Sequence, residues 1–199
     1  MMTRPLLGEP LAVDLLNTRW RTADGEADLL ASTDGFAQWL AEAGLDDLTP
    51  TDAARIAALE ARAAIRSMLA DGAHPDGADG TTAQSAAEGA LNAILARGLA
   101  VRSISSGVIR ERIVFTDPEW TAAWRAATSY VDLRRQAPDA IRQCRHPDCV
   151  LHFFDPTGRR RWCSMAGCGN RAKAKRHYHR TRVTPAGSAT GGEPGRDSE

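Results

Sequence analysis

Four cysteines, the only ones among 199 residues, are spaced Cys144-x4-Cys149-x13-Cys163-x4-Cys168. Two close pairs joined by a segment long enough to double back are the arrangement that brings four thiolates around one ion. Zinc accepts four thiolates in a closed tetrahedral shell, whereas catalytic zinc keeps three protein ligands and an open position. The spacing therefore predicts a single structural zinc on Cys144, Cys149, Cys163 and Cys168. In a reducing compartment the even cysteine count reads as metal ligation rather than two disulfides. His146, His152, His177 and His179 are competing donors; with four cysteines already paired, they read as surface residues of a basic module.

The last cysteine opens the run Cys168-Gly169-Asn170-Arg171, followed by Ala172-Lys173-Ala174-Lys175-Arg176-His177-Tyr178-His179-Arg180. On a helix, Arg171, Lys175, Tyr178 and Arg182 follow i, i+4, i+7, i+11, with Lys173, Arg176 and Arg180 in an adjacent strip. That cationic face with one aromatic suits a phosphate backbone, and Asn170 or Arg171 suits base edges in a major groove. The nucleic-acid candidates are thus Asn170, Arg171, Lys173, Lys175, Arg176, Tyr178 and Arg180. The plainer reading is a solvated charged helix. Lys and Arg against Asp and Glu number 13 and 20 over residues 1–139, 11 and 2 over 140–182, and 1 and 3 over 183–199. An acidic body carries a basic end. Four thiolates on Zn2+ leave −2, which offsets the module's +9 to about +7. Some 40 residues bury too little apolar area to fold alone, so zinc should supply most of the module's folding free energy.

The elements that must hold this module follow from hydrophobic period and punctuation. Leu11 to Trp20 is apolar and fits helix or strand. Ser32 to Asp34 can cap a helix carrying Phe36, Trp39 and Leu40, with Gly44 as its stop. Thr49-Pro50-Thr51-Asp52 opens a second helix, with Ile56, Leu59, Ala63, Ile65 and Leu69 in period up to about Ala70. Residues 71–83 have loop composition, and a third helix is expected over Ser85 to Arg97, ended by Gly98. Leu99–Ile104 and Ile109–Phe115, joined by Ser105-Ser106-Gly107, predict a β-hairpin, the only clear β element before the cysteines. Asp117-Pro118-Glu119 starts a further helix with Trp120, Trp124, Ala127 and Val131 on one face, and Pro138 ends the pattern. Between the cysteine pairs, Val150–Asp155 reads as a strand, Pro156-Thr157-Gly158 as a turn and Arg159–Trp162 as the return strand. A helix follows from Ala172, so knuckle, hairpin and helix together resemble a treble-clef finger. Residues 183–199 have the composition of a disordered tail.

The run Trp162-Cys163-Ser164-Met165-Ala166-Gly167-Cys168-Gly169-Asn170-Arg171 and its basic continuation resemble the CGNR zinc finger. Upstream, Leu15-Leu16-Asn17-Thr18-Arg19-Trp20 and Gly35 to Leu45 are similar to the ABATE domain of bacterial stress-induced transcription regulators, and together the resemblance covers most of residues 8–182. It implies zinc on the four cysteines and a DNA-binding finger.

The expected fold is a mostly α N-terminal domain with a small β-hairpin, an α+β arrangement over residues 1–138. A treble-clef-like finger over 139–182, with hairpin and basic helix, and a tail over 183–199 complete it. The expected function is a zinc-dependent DNA-binding transcription regulator. Its first domain would sense a small-molecule effector or form a homodimer, since one finger offers a small footprint. Asn17, Arg19 and Trp20 form a polar-aromatic cluster that can line an effector pocket or equally cap a helix. No phosphate loop, serine elbow or His-Glu metal pattern occurs in 1–139, so an enzyme is not expected. No apolar run reaches the roughly 20 residues of a membrane span, and Met1 to Pro5 lacks a signal core, which places the protein in the cytoplasm at the nucleoid. RNA or ribosome binding by stacking, and a purely structural zinc in a protein-interaction module, are the rival readings.

Overall fold

The computed structural model describes residues 3–70 and 80–183. At its centre lies α1 (Leu11–Leu16), whose Ala12, Val13, Asp14, Leu15 and Leu16 are all buried. A helix apolar nearly all round belongs inside a core, and α1 is covered by α5 (Thr121–Gln136), α3 (Asp52–Ala70) and β6 (His152–Phe154). The single carboxylate on this helix needs partners, because an unpaired buried charge is costly. Asp14 receives a two-pronged bond from Arg4 at 2.9 and 3.2 Å and the Trp39 indole N–H at 2.9 Å. Burial still pushes its carboxyl above the usual carboxylate range. Arg4 also reaches Glu42, so the segment before α1 is tied to the end of α2 (Thr33–Glu42).

The undecided stretch resolves into α1 and a strand. Asn17 ends the helix, and β1 (Arg19–Thr22) pairs antiparallel with β2 (Gly25–Asp28), a hairpin the sequence pattern did not reveal. Four-residue strands with outward charges carry too little apolar alternation to be seen. Helix α2 forms as its punctuation predicts. Ser32 Oγ accepts from Gly35 N at 3.1 Å, and Gly44 stands at φ +69° while Leu45 N reaches Leu40 O at 2.8 Å, a Schellman close. Gly35 is also required by packing, since a Cβ there would lie 2.1 Å from Leu29 O.

Helix α3 buries Ala54, Ala57, Ala58, Ala61, Ala64 and Ile65, while Ile56 is exposed and Leu59 half-buried. The face in contact is thus an alanine face that lets α1, α5 and the following helix α4 (Gly80–Leu95) approach closely, and the bulkier period expected from the sequence lies partly outside it. Arg62, buried in this face, forks onto Asp28 at 2.6 and 2.7 Å and bonds Thr18 Oγ1 at 2.8 Å. The predicted loop over 71–83 falls partly outside the described residues, and α4 (Gly80–Leu95) already covers its end. Gly98 opens β3 (Gly98–Ser105) instead of capping α4, pressed so close to the Trp124 indole that a Cβ would meet Nε1 at 2.5 Å. β3 pairs with β4 (Val108–Phe115) through a two-residue loop, Ser106 at φ +51° and Gly107 at φ +76°, the backbone signs of a type I′ turn. Helix α5 buries Ala122, Ala123, Ala126, Ala127, Tyr130 and Leu133, and its Trp124 donates to Leu95 O at 3.0 Å.

The chain then enters β5 (Ile141–Gln143), which pairs with β6 in the register Ile141↔Phe154 and Gln143↔His152. This corrects the predicted finger hairpin: β6 falls within the expected strand, but its partner is upstream and Arg159–Trp162 is not a strand. Asp155 is the cause. Its carboxylate accepts from Thr157 N, Thr157 Oγ1 and Arg160 N, a local turn that removes this segment from a ladder. Helix α6 (Asn170–Val183) closes the described chain, and the expected tail beyond it lies outside the described residues.

Body and cysteine module share one apolar cluster, running from α1 through Leu151 and Phe153 to the cysteines. The seam is polar and matched. Asn17 Nδ2 donates to His152 O at 2.9 Å and its Oδ1 accepts from His152 N at 2.8 Å, so a side chain stands where a neighbouring strand would. Glu9 accepts from Phe154 N and from Arg160, whose guanidinium lies 4.5 Å above the Phe153 ring. Asn17→Ala leaves two buried backbone groups of His152 unpaired, which costs about 1–3 kcal/mol for each group so stranded. Urea unfolding of the zinc-loaded chain should show a loss of at least about 2 kcal/mol; a loss below about 0.5 kcal/mol would contradict the staple.

Candidate metal centre and nucleic-acid interface

Local backbone bonds bring the first cysteine pair together. Cys149 N bonds His146 O at 2.9 Å, closing a tight knuckle, and Cys144 N bonds Leu151 O at 2.8 Å as the β5–β6 ladder ends. The second pair sits in a separate turn. Ser164 Oγ accepts from Gly167 N at 3.0 Å and starts a wide single turn over Met165–Gly169, which places Cys168 two residues before α6. The two halves are joined by Arg145 N to Arg161 O at 3.1 Å and by Cys163 N to Cys144 Sγ at 3.3 Å. Arg160, through two bonds to the carbonyls of Trp162 and Cys163, fixes the chain entering the second pair.

All four Sγ atoms lie within 4.8 Å of one another, and all four cysteines are buried. Cys149 and Cys163 are 3.8 Å apart and Cys163 and Cys168 3.6 Å. A tetrahedral ion with zinc–sulfur bonds of about 2.3 Å has sulfur–sulfur edges of about 3.8 Å, so the donors already stand at zinc spacing. The acid–base chemistry of the cluster agrees. A hydrogen bond from Cys163 lowers the Cys149 thiol to about 5, the same bond seen from the other side raises Cys163, and burial raises Cys144. Such a cluster keeps protons on Cys163 and Cys144 until a cation replaces them. The module therefore fits one zinc ion, which would supply the charge that lets all four sulfurs ionise. The Arg171 guanidinium, 3.0 Å from Cys168 Sγ, adds an outer positive contact.

His152 stands apart from the sulfurs as a donor. It is buried against the body, its Nδ1 has no hydrogen-bond partner among the described residues, and burial lowers its imidazole to about 4. His146 uses Nδ1 to accept from Asp148 N at 3.3 Å.

The nucleic-acid candidates divide. Lys173 and Lys175 are exposed on α6 with no carboxylate among their described contacts, and Tyr178 is half exposed. Asn170 is exposed, its amide donating to Ala166 O at 3.3 Å, whereas Arg171 is turned back onto Cys168. The side chains of Arg176 and Arg180 lie outside the described ones. Three further cations on the knuckle loops, Arg145, Arg159 and Arg161, are exposed. Arg159 and Arg161 flank a groove of about 660 Å3 that also takes in Trp162 and Met165. For Arg159 and Arg161 the run Arg159-Arg160-Arg161 carries the signal, although the sequence pattern assigns it to a strand. Among the described ion pairs of the module's cations, only Arg160 meets a carboxylate, that of Glu9.

Asn17, Arg19 and Trp20 do not converge. Asn17 is spent on His152, Arg19 turns outward to Glu26, and Trp20 alone lines a cleft of about 540 Å3 between β1 and the knuckle. A shared effector site for the three is replaced by three separate roles, because Asn17 ends a helix and the next residues alternate along a strand.

Cobalt loading should give the visible spectrum of a tetrahedral tetrathiolate site at one ion per chain. Cys163→Ser should abolish it and reduce zinc content well below one per chain, while His146→Ala leaves the spectrum unchanged; a spectral shift in the histidine variant would contradict the all-cysteine shell.

Residues 140–181 match the model of the CGNR zinc finger, and residues 9–137, more than half of the chain, match that of ABATE, described as "Putative stress-induced transcription regulator". No curated protein matches the chain. With four clustered cysteines at zinc spacing inside the matched finger, the chain belongs to the ABATE family and carries a CGNR zinc finger able to hold one zinc ion.

Proposed function

We propose that the protein is a DNA-binding transcription regulator whose zinc finger contacts the phosphate backbone under control of the ABATE body. The observation that carries this reading is the set of uncommitted cations on the finger. Arg145, Arg159, Arg161, Lys173 and Lys175 are exposed on a module that zinc holds in shape, with no ion-pair partner among the described residues. Its two carboxylates do not quench them. Asp155 is bound into its own turn, and Asp148 faces His146. Phosphate oxygens are the acceptors such a surface lacks, and displaced counterions make binding strongly salt-dependent.

The description of the matched family, "Putative stress-induced transcription regulator", supports transcription control as the role, and that role would place the chain at the nucleoid. The cleft between β1 and the knuckle, lined by Trp20, Arg21, Cys163, Gly167 and Arg171, is the place where a small effector would change how the finger sits. Among the described residues no helix is long and apolar enough to cross a membrane. A half-buried Trp162 beside exposed Met165 keeps RNA as the second reading, since unpaired bases stack on such residues.

Fluorescence anisotropy of labelled duplex DNA across a salt series tests it, with single-stranded RNA of equal length as competitor. Zinc-loaded protein should bind with a slope of log K against log salt of about −4, as about five phosphate contacts require. Arg159→Ala with Arg161→Ala should flatten that slope by about two, and chelation should abolish binding. No binding at any salt would remove the nucleic-acid reading, and tighter binding to the single strand would move it to RNA.

A further inference from the structure

The β3–β4 hairpin stands off the body along most of its length. Only its open end, Gly98 on β3 and Ile113 to Phe115 on β4, is partly covered, where Phe115 meets the Trp124 ring edge-on at 5.5 Å. Of the nine large apolar side chains exposed among the described residues, five are on this ribbon: Leu99, Val101, Ile104, Val108 and Ile109. Ile104 and Ile109, each 74% exposed, face each other across the strands. An isolated two-stranded hairpin is marginal in water, and strands of this composition are found packed on one face.

The register divides the ribbon into two unlike faces. One carries Ala100 opposite Ile113, Arg102 opposite Glu111, and Ile104 opposite Ile109. Its only charges form a neutral pair, with Arg102 Nε 2.6 Å from Glu111 Oε2. The other face carries Leu99 opposite Val114, Val101 opposite Arg112, Ser103 opposite Arg110 and Ser105 opposite Val108, so it holds the other three exposed apolar side chains beside two cations with no described partner.

The first face is complementary to itself. A two-fold axis parallel to the strands exchanges β3 for β4 at every level, setting Arg102 over Glu111 of a second copy, Ile104 over Ile109 and Ala100 over Ile113. An axis perpendicular to the strands within the plane would stack arginine on arginine and is disfavoured. The second face stacked on itself would gather four unpaired guanidinium groups. We propose that the hairpin is the homodimer surface of this protein, two copies stacking the Ala100–Ile104 and Ile109–Ile113 face with the charged pairs crossed. This interface stands independently of the DNA reading, and it pairs two fingers in one assembly.

Sedimentation velocity of the zinc-loaded full chain over a wide protein concentration range tests it. The unmodified chain should form a concentration-dependent dimer, and Ile104→Glu with Ile109→Glu should be monomeric with unchanged circular dichroism and zinc content. Arg102→Glu and Glu111→Arg each set like charges against each other and should weaken dimerisation by about tenfold or more. Mixed in equal amounts the two variants should dimerise again, because each supplies the sign the other lacks. A monomer at every concentration, a dimer that survives the double isoleucine change, or a mixture that fails to recover overturns the proposal. A monomer whose DNA affinity falls on Arg110→Ala with Arg112→Ala would likewise overturn it, by making the ribbon a nucleic-acid arm.

Discussion

Four thiolates within 4.8 Å cannot all carry charge unless a cation sits among them. Much of the C-terminal architecture follows from that repulsion. The knuckle at Cys144–Cys149, the wide turn at Met165–Gly169 and the start of α6 are short pieces with little apolar area of their own. They keep their relative positions because one ion binds residues 144 and 168 together, and the direction in which α6 leaves the fold is set at the same point. Zinc is therefore to this module what α1 is to the body, the element around which the others are placed.

Metal and body are not independent. Asn17 ends α1 and at the same time completes the hydrogen bonding of β6, three residues after Cys149. Glu9, just before α1, holds both Phe154 and Arg160, and Arg160 fixes the carbonyl of Cys163. Two short chains of contacts thus link the cysteine cluster to the central helix. A displacement of α1 would act on the second cysteine pair through Glu9 and Arg160, because packed interiors transmit strain rather than absorb it. Contacts of this kind are what an N-terminal domain would need in order to act on a finger.

The metal site was legible in the sequence because four cysteines are rare and their spacing has few meanings. The helices at Thr33, Asp52 and Thr121 were legible because Ser32, Asp52 and Asp117-Pro118 mark their starts and Gly44 marks one end. The β1–β2 hairpin was not, since its strands are short and polar. The partner of β6 was misassigned for a definite reason: Asp155 satisfies three donors locally, and no hydrophobic pattern reports where a carboxylate will turn. Ile56 and the alanines of α3 show the same limit. Periodicity finds a helix, but which stripe packs depends on how closely its neighbours approach, and there small side chains displaced large ones. Asn17 could be seen as polar and positioned, yet its partner lies 135 residues away.

Charge separates the two halves of the molecule more sharply than shape does. Residues 1–139 carry −7 and residues 140–182 carry +9, and the seam between them is joined by Glu9 and Arg160. Near an anionic polymer the body is repelled and the finger attracted, so the molecule is oriented before any contact forms. Screening over about 8 Å at physiological ionic strength confines that effect to close approach, which favours recognition by the finger's own loops over long-range steering. The finger's surface is small, however, and specific sites need more buried area than one module gives. A rigid seam answers part of this. Since α1, Asn17 and β6 hold the finger at a fixed angle to the body, any second finger brought by a symmetric contact between bodies would be presented in a fixed register, and the two footprints would add without the entropy cost that flexible linkage imposes.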